Sequence, residues 1–170
     1  MKYYSADAQK MSKFIAMLGF VHERARRVFP KMRAGFCFAL YGLPSCHLAV
    51  KGMVGKVRHF KTDMYFRLVE EKAGRVFIRN EASSYESRNP DDGRYGGAIR
   101  GKTMILAISG LKKEHQDEAI AMATLVLLSE MELAFANDIA ERTGNKYFEE
   151  ILTECGLGGR AVGGRTGGER

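Results

Sequence analysis

The chain has 170 residues, a net charge of +7 and 45% hydrophobic residues, which suits one globular domain with its own core and leaves little room for a second. Its apolar runs, such as residues 104–108, are far shorter than the roughly 18 residues that a membrane span needs, and the first residues lack the basic start and apolar block of a secretory signal. We therefore expect a cytoplasmic protein without membrane contact.

The first 51 residues contain a helix and a strand hairpin. Apolar residues recur at helical spacing from Ser5 to Pro30, which predicts an amphipathic first helix. Residues 36–41 and 47–51 read as two short strands joined through a turn that contains glycine and proline. The order helix, strand, strand is therefore predicted for this part.

Residues 52–80 fit two alternatives, a helix or a second hairpin. Several apolar positions have helical spacing, but residues 64–68 also alternate between apolar and polar types as a strand would. A turn-like segment then precedes an apolar return segment, which favours strands at 63–70 and 75–80.

The second half begins with a polar loop at 80–95, which contains Asn-Pro and Asp-Gly pairs. Two strands are predicted at 98–100 and 103–108, followed by a long helix at 114–140 and a short last helix that ends at Cys155. The pattern predicts an α+β fold with an antiparallel sheet of about five strands and helices on one face. Residues 1–155 form the single domain, and residues 156–170 form a flexible tail rich in glycine and arginine.

One segment matches the phosphate-binding expression G-x-x-x-x-G-K-[ST], through Gly96, Gly101, Lys102 and Thr103. In such loops backbone N–H groups and the lysine hold phosphates, and a helix follows the loop. A β-like segment follows here instead, so the sequence favours a hairpin with a tight turn at Arg100-Gly101 and a positive φ at one of these two residues.

The charge is concentrated in residues 1–67, which carry 13 Lys and Arg against 3 Asp and Glu. Within this part, cations and aromatic residues are interleaved between residues 51 and 67, a combination that neutralises phosphates and stacks on unpaired bases. This candidate nucleic-acid surface comprises Lys51, Lys56, Arg58, Lys61, Arg67, Phe60 and Tyr65. The alternatives are a solvated basic face and aromatic residues that belong to the core.

Residues 96–128 carry Gly96-Gly97, then Ser109-Gly110-Leu111, then Gln116-Asp117-Glu118. In this order the segment resembles the C-terminal hairpin and helix of the GlcG-like family of haem-binding or haem-degrading domains. The resemblance implies a profilin-like layout and a small ligand such as haem, but it assigns haem contact to no residue. The family has a middle helix with Lys-Ala, where residues 63–80 are predicted here as strands.

These observations favour a non-catalytic small-ligand-binding or sensory domain, with a basic nucleic-acid-associated protein as the alternative. The resemblance also implies a homo-oligomer, for which the long helix around Met122 and Met131 offers either an interface or the core face. The histidines and the three cysteines follow no metal-binding spacing, so no metal site is predicted. No cofactor and no catalytic residue are assigned; the one specific enzymatic alternative is phosphoryl transfer through Lys102.

Overall fold

The computed structural model describes residues 3–157, with side chains from residue 8 onward. The predicted tail therefore lies, from residue 158 on, outside the described residues. The elements are α1 (Tyr3–Val28), β1 (Gly35–Gly42), β2 (His47–Gly55), α2 (Thr62–Arg79), β3 (Ala98–Arg100), β4 (Met104–Ser109), α3 (Glu114–Leu127), α4 (Leu133–Thr143) and α5 (Phe148–Glu154). None of the helices in this part of the chain has the length and apolar character to cross a membrane.

The sheet has four antiparallel strands in the order β2-β1-β4-β3. The α+β class and the β1–β2 and β3–β4 hairpins are thus confirmed, whereas the expected fifth strand is absent from the described residues. A short segment stands in its place at the β3 edge. The Ser84 N–H donates to the Ala98 carbonyl at 2.9 Å, and the Arg100 N–H donates to the Ala82 carbonyl at 2.9 Å. The polar loop after α2 therefore covers one edge of the sheet, because its first residues bond to β3.

Helices pack on both faces of the sheet, which corrects the expectation of helices on one face. Large side chains of the central strands, such as Phe36 and Ile108, point towards α1 and α3 and form the larger core. Small side chains on the opposite face, such as Ala39 and Ala107, pack against α2. The alternation of large and small residues follows the two-residue repeat of a strand and gives three layers, α2, sheet, and the remaining helices.

Residues 62–79 form the helix α2, so the predicted strands at 63–70 and 75–80 are wrong. Tyr65, Val69, Ala73 and Val76 are buried at helical spacing, and this periodicity decides the structure because the sheet offers one continuous apolar face to cover. The pair Lys72-Ala73 therefore lies on a helix in the middle of the chain.

The predicted long helix at 114–140 is two helices, because α3 ends at Leu127 and Ser129 has a positive φ of 61°. Met122 and Met131 are 0% and 4% exposed and belong to the core. Of the two alternatives for Met122 and Met131, an interface or the core face, the structure shows the core face for both side chains.

Candidate functional site

A groove of about 380 Å³ opens at the edge of the fold beside the β3–β4 turn. Four segments contribute to it: the chain just after α2, the end of β3 with its turn, the α3–α4 linker and the first turn of α4. The lining residues are Asn80, Ala82, Arg100, Gly101, Lys102, Glu130, Met131, Glu132 and Phe135. Three of them are apolar, so the groove combines an apolar surface with a charged rim.

Hydrogen bonds fix the β3–β4 turn to the α3–α4 linker. The Lys102 N–H donates to the Glu130 carbonyl at 2.8 Å, and the N–H and hydroxyl of Thr103 both donate to the Glu130 carboxylate, at 3.0 and 2.9 Å. The Lys102 ammonium pairs with Glu132 and lowers the pKa of its carboxyl. The charged rim is thus largely paired within itself, and these contacts hold two walls of the groove together.

Gly101 lies in this turn for steric reasons. Its φ is not positive, and the turn comprises residues 101–103, since β3 ends at Arg100 and β4 begins at Met104. The predicted two-residue turn with a positive φ is therefore wrong. A Cβ at Gly101 would lie 3.1 Å from the Glu130 carbonyl oxygen, so the absent side chain lets the linker approach.

Arg100 is the exception among the charged residues of the groove. Within residues 8–157 its side chain forms no ion pair and donates no hydrogen bond, and its Nη1 is fully buried. Its charge reaches the β1–β2 turn, where it opposes the burial that raises the pKa of the Cys46 thiol. Arg100 pairs with Ile105, whose side chain packs on the α2 face of the sheet, so the Arg100 side chain leaves β3 on this same face.

A buried ion pair between Lys72 and Asp117 joins α2 to α3. The Lys72 ammonium donates to the Ile108 carbonyl at 2.8 Å and lies 3.5 Å from the Asp117 carboxylate, which also accepts the Leu111 N–H at 3.2 Å. Burial lowers the pKa of Lys72 and raises that of Asp117 to about 6. Gly97 leaves room for the pair, because a Cβ there would lie 3.1 Å from the Lys72 Nζ.

The next residue, Glu118, is also buried and ties the polar loop to the end of α4. Its carboxylate accepts hydrogen bonds from Ser83, from the Thr143 hydroxyl at 3.0 Å and from the Asn145 amide at 2.8 Å, and burial raises its pKa. Arg75 binds the Ser84 and Tyr95 carbonyls at 2.7 and 2.6 Å. The loop, predicted as exposed, is therefore anchored to the fold at both ends by buried charges.

Four of the seven residues of the predicted nucleic-acid surface lie between β2 and α2, and the other three lie on these two elements. Phe60 is 78% exposed and has Lys61 near its ring, at 5.9 Å from the ring centroid. Among the five cations, only Lys51 forms an ion pair with a residue between 8 and 157, with Glu70 at 3.1 Å. Tyr65 is different, because it is buried and its hydroxyl accepts a hydrogen bond from Arg33 at 2.7 Å.

The predicted phosphate-binding residues are separated by the length of β3. Gly96 packs against the Tyr85 ring and donates its N–H to Glu114 at 2.7 Å, whereas Gly101, Lys102 and Thr103 contact the α3–α4 linker. The element that follows them in the chain is the strand β4, whereas a phosphate-binding loop opens a helix. Carboxylates already occupy several of the donors that a phosphate would need.

Sequence reasoning missed Arg100 as a site residue and Lys72 as a buried charge. A signal existed for Lys72, since it lies three residues after Val69 and four before Val76 on one helical face. No signal marked Arg100, because its isolation depends on segments far apart in the chain. Comparisons of the chain with models of known protein families, with curated proteins and with solved structures found no match.

Proposed function

We propose that the protein is a non-catalytic domain that binds a small molecule in the groove beside the β3–β4 turn. The observation that carries this proposal is the groove itself, a concavity of about 380 Å³ with apolar and charged walls. Sites for small molecules are typically such concavities, with volumes of about 300–1,000 Å³ and a few polar groups that orient the ligand.

The paired rim supports a preformed site. The contacts between the turn and the linker hold Lys102, Glu130 and Glu132 in place without a ligand, so binding would not have to order these side chains. The resemblance of residues 96–128 to GlcG-like domains favours the same class of function.

The test is a ligand screen that compares two variants, in each of which one alanine is replaced by phenylalanine. Ala82→Phe fills the groove, whereas Ala16→Phe places the same ring on the exposed side of α1, outside the groove. A fragment library is screened by ligand-observed NMR, with haem titrated separately by absorption. We expect binders of the wild type that Ala82→Phe loses and Ala16→Phe keeps. Binding that survives in both variants, or no binder at all, would contradict the proposal.

A second candidate function is binding of single-stranded nucleic acid through the surface around Phe60. The observation that favours it is the exposure of this ring next to Lys56, Arg58 and Lys61. An exposed aromatic ring between cations can stack on a base while the cations contact the flanking phosphates. Because each neutralised phosphate releases counterions, such binding weakens steeply with salt.

This candidate is tested by fluorescence anisotropy with single- and double-stranded oligonucleotides at two salt concentrations. Phe60→Ala should weaken binding of the single strand by about tenfold, since stacking contributes about 1–3 kcal/mol per base. Ile78→Ala is the control, because Ile78 is 82% exposed near the other end of α2. The absence of binding at low salt, or equal effects of the two substitutions, would exclude the Phe60 surface.

A further inference from the structure

The two edges of the sheet differ in what covers them. At the β3 edge, the Ser84 N–H donates to the Ala98 carbonyl at 2.9 Å. The Arg100 N–H donates to the Ala82 carbonyl at the same distance, so the chain after α2 covers this edge. The opposite edge is β2, a strand of nine residues that pairs only with β1 in the part of the chain that the structure describes. An uncovered edge strand offers a row of free backbone groups to another chain.

The direction of the backbone groups on β2 follows from the ladders beside it. The Leu43 N–H donates to the Thr103 carbonyl at 2.8 Å, in register with the β1–β4 pairs. Because the bonds of a strand alternate between its two neighbours, the odd-numbered residues of β1 bond to β4 and the even-numbered ones to β2. In the regular part of the β1–β2 pair, these even-numbered residues face even-numbered residues of β2. The N–H and carbonyl groups of Lys51 and Met53 therefore point away from β1, and no hydrogen bond from the described residues reaches them.

Exposed apolar side chains border this edge. Leu48 and Met53 project from β2 itself and are exposed. On α1, His22 faces β2, because a Cβ at Gly55 would lie 3.0 Å from the His22 ring. Ile15 is exposed and lies two helical turns before His22 on the same side of α1. A chain that bonds to β2 would therefore also cover apolar surface.

We propose that two copies of the chain pair through β2, antiparallel about a two-fold axis, and join their sheets into one of eight strands. The free groups limit the register, since the hydrogen-bonded pairs have to form between residues that point outward. Placing Gly52 on the axis sets Lys51 of each copy opposite Met53 of the other. A register centred on Lys51 would instead place two like charges directly opposite each other, which is destabilising.

The charges around β2 suit this arrangement. Lys51 is paired with Glu70 at 3.1 Å, so it brings no uncompensated charge to the interface. Lys56 and Arg58 follow the C-terminal end of β2, and antiparallel pairing places those of the two copies at opposite ends of the interface. Such a symmetric interface uses the open edge of both copies and closes the assembly at a dimer. The groove beside the β3–β4 turn lies at the other edge, so the dimer leaves both grooves open and does not depend on the proposed function.

The first experiment needs only the wild-type chain. Its mass is measured by light scattering, and the dissociation constant of the dimer is measured by sedimentation equilibrium. We expect twice 19.0 kDa, with dissociation into single copies on dilution. A mass of 19.0 kDa at every concentration would overturn the proposal and leave the open edge to a segment of another protein.

The second experiment locates the interface on β2. Met53→Pro removes an N–H that points away from β1, and proline is tolerated on an edge strand where its missing N–H would face solvent. It should raise the dissociation constant of the dimer by about tenfold or more, since each copy loses a hydrogen bond, and it should keep the far-UV circular dichroism of the wild type. A dimer that Met53→Pro leaves intact would overturn the inference.

Two charge variants test the register and keep the proposal testable if the proline variant does not fold. Met53→Lys places a second cation opposite Lys51 of the other copy, whereas Met53→Glu places a carboxylate there. Met53→Lys should therefore weaken the dimer severalfold and Met53→Glu should not, and the difference should shrink at high salt. Ile78→Lys is the control and should change nothing, because Ile78 is exposed near the end of α2. Equal dissociation constants for Met53→Lys and Met53→Glu would overturn the proposed pairing.

Discussion

Replacing Lys72 by methionine removes the cation that faces Asp117 in the interior. Lys72 and Asp117 are 1% and 4% exposed, so the remaining carboxylate cannot be solvated without local opening. Removing one partner of a buried ion pair typically costs about 3–5 kcal/mol of stability. The Asp117 carboxylate retains the Leu111 N–H at 3.2 Å, which places the expected loss at about 3 kcal/mol at neutral pH.

The loss should depend on pH in a defined direction. Burial raises the pKa of Asp117 to about 6 and the Lys72 charge opposes that rise, so without Lys72 the pKa lies higher still. A carboxyl whose folded-state pKa exceeds the unfolded one binds more protons when folded. Stability of the Lys72→Met variant therefore falls as pH rises through this window, by up to about 1.4 kcal/mol per pH unit. The variant should be markedly less impaired at pH 5 than at pH 8, relative to the wild type.

The assay is urea unfolding of the wild type, Lys72→Met, Asp117→Asn and the double variant at both pH values. The double variant removes both charges, so it should be more stable than the sum of the single effects predicts, by about 2 kcal/mol. Additive effects with no pH dependence would refute the assignment of an ion pair here.

The remaining predictions concern single positions and the assembly. Gly97→Ala should destabilise the fold by about 3 kcal/mol or more, because its φ is +116° and a Cβ would lie 2.7 Å from the Asp117 Cβ. Gly93→Ala is the control and should cost about 1 kcal/mol, because Gly93 has a φ of +71° but open space around it. Equal midpoints of urea unfolding for the two variants would contradict this prediction. His22→Leu should stabilise the fold by about 1 kcal/mol, since both ring nitrogens are buried and have no hydrogen-bond partner among residues 8–157. Because burial lowers the pKa of His22, the wild type loses stability as pH falls below about 6.5, and the gain should be larger at pH 5.5 than at pH 8 in thermal melts; a gain that is independent of pH would argue against a buried neutral imidazole. Gly101→Ala should cost about 1 kcal/mol by pushing the α3–α4 linker away, and no change in the melting temperature would show that the linker yields freely. The homo-oligomer remains a prediction that light scattering tests, and a mass of 19.0 kDa would remove it.

Local sequence signals determined the elements whose periodicity had one interpretation. The apolar residues before Pro30 gave α1, and turn residues at 42–45 placed the first hairpin between β1 and β2. The apolar segment after Gly101 predicted a strand and therefore the second hairpin. The structure has this strand, where a phosphate-binding loop would be followed by a helix. Ends of helices and strands near proline or glycine, such as those at Pro30, Gly42 and Gly101, were easiest to place, because these residues restrict or relax the backbone locally.

Only the tertiary structure decided the elements with two competing patterns. Residues 64–68 alternate like a strand, but the sheet leaves a face that a helix covers, and Tyr65, Val69 and Ala73 fit it at helical spacing. The break between α3 and α4 contains no glycine or proline. The residue that adopts a positive φ there is Ser129. Such a turn depends on packing around the linker and leaves no local mark in the sequence.

The residues of the groove also separate into what local sequence patterns predict and what depends on the tertiary structure. Gly101 and Lys102 were singled out from the sequence, but as phosphate ligands, and Arg100 only as a turn residue. Their actual environment comes from Glu130 and Glu132, about 30 residues further along the chain. Local patterns specify which residues can form strands and turns, whereas the pairing of charges depends on contacts between distant segments. The sequence by itself therefore determined the hairpin that carries Arg100, and the tertiary structure alone decided that its charge has no partner within residues 8–157.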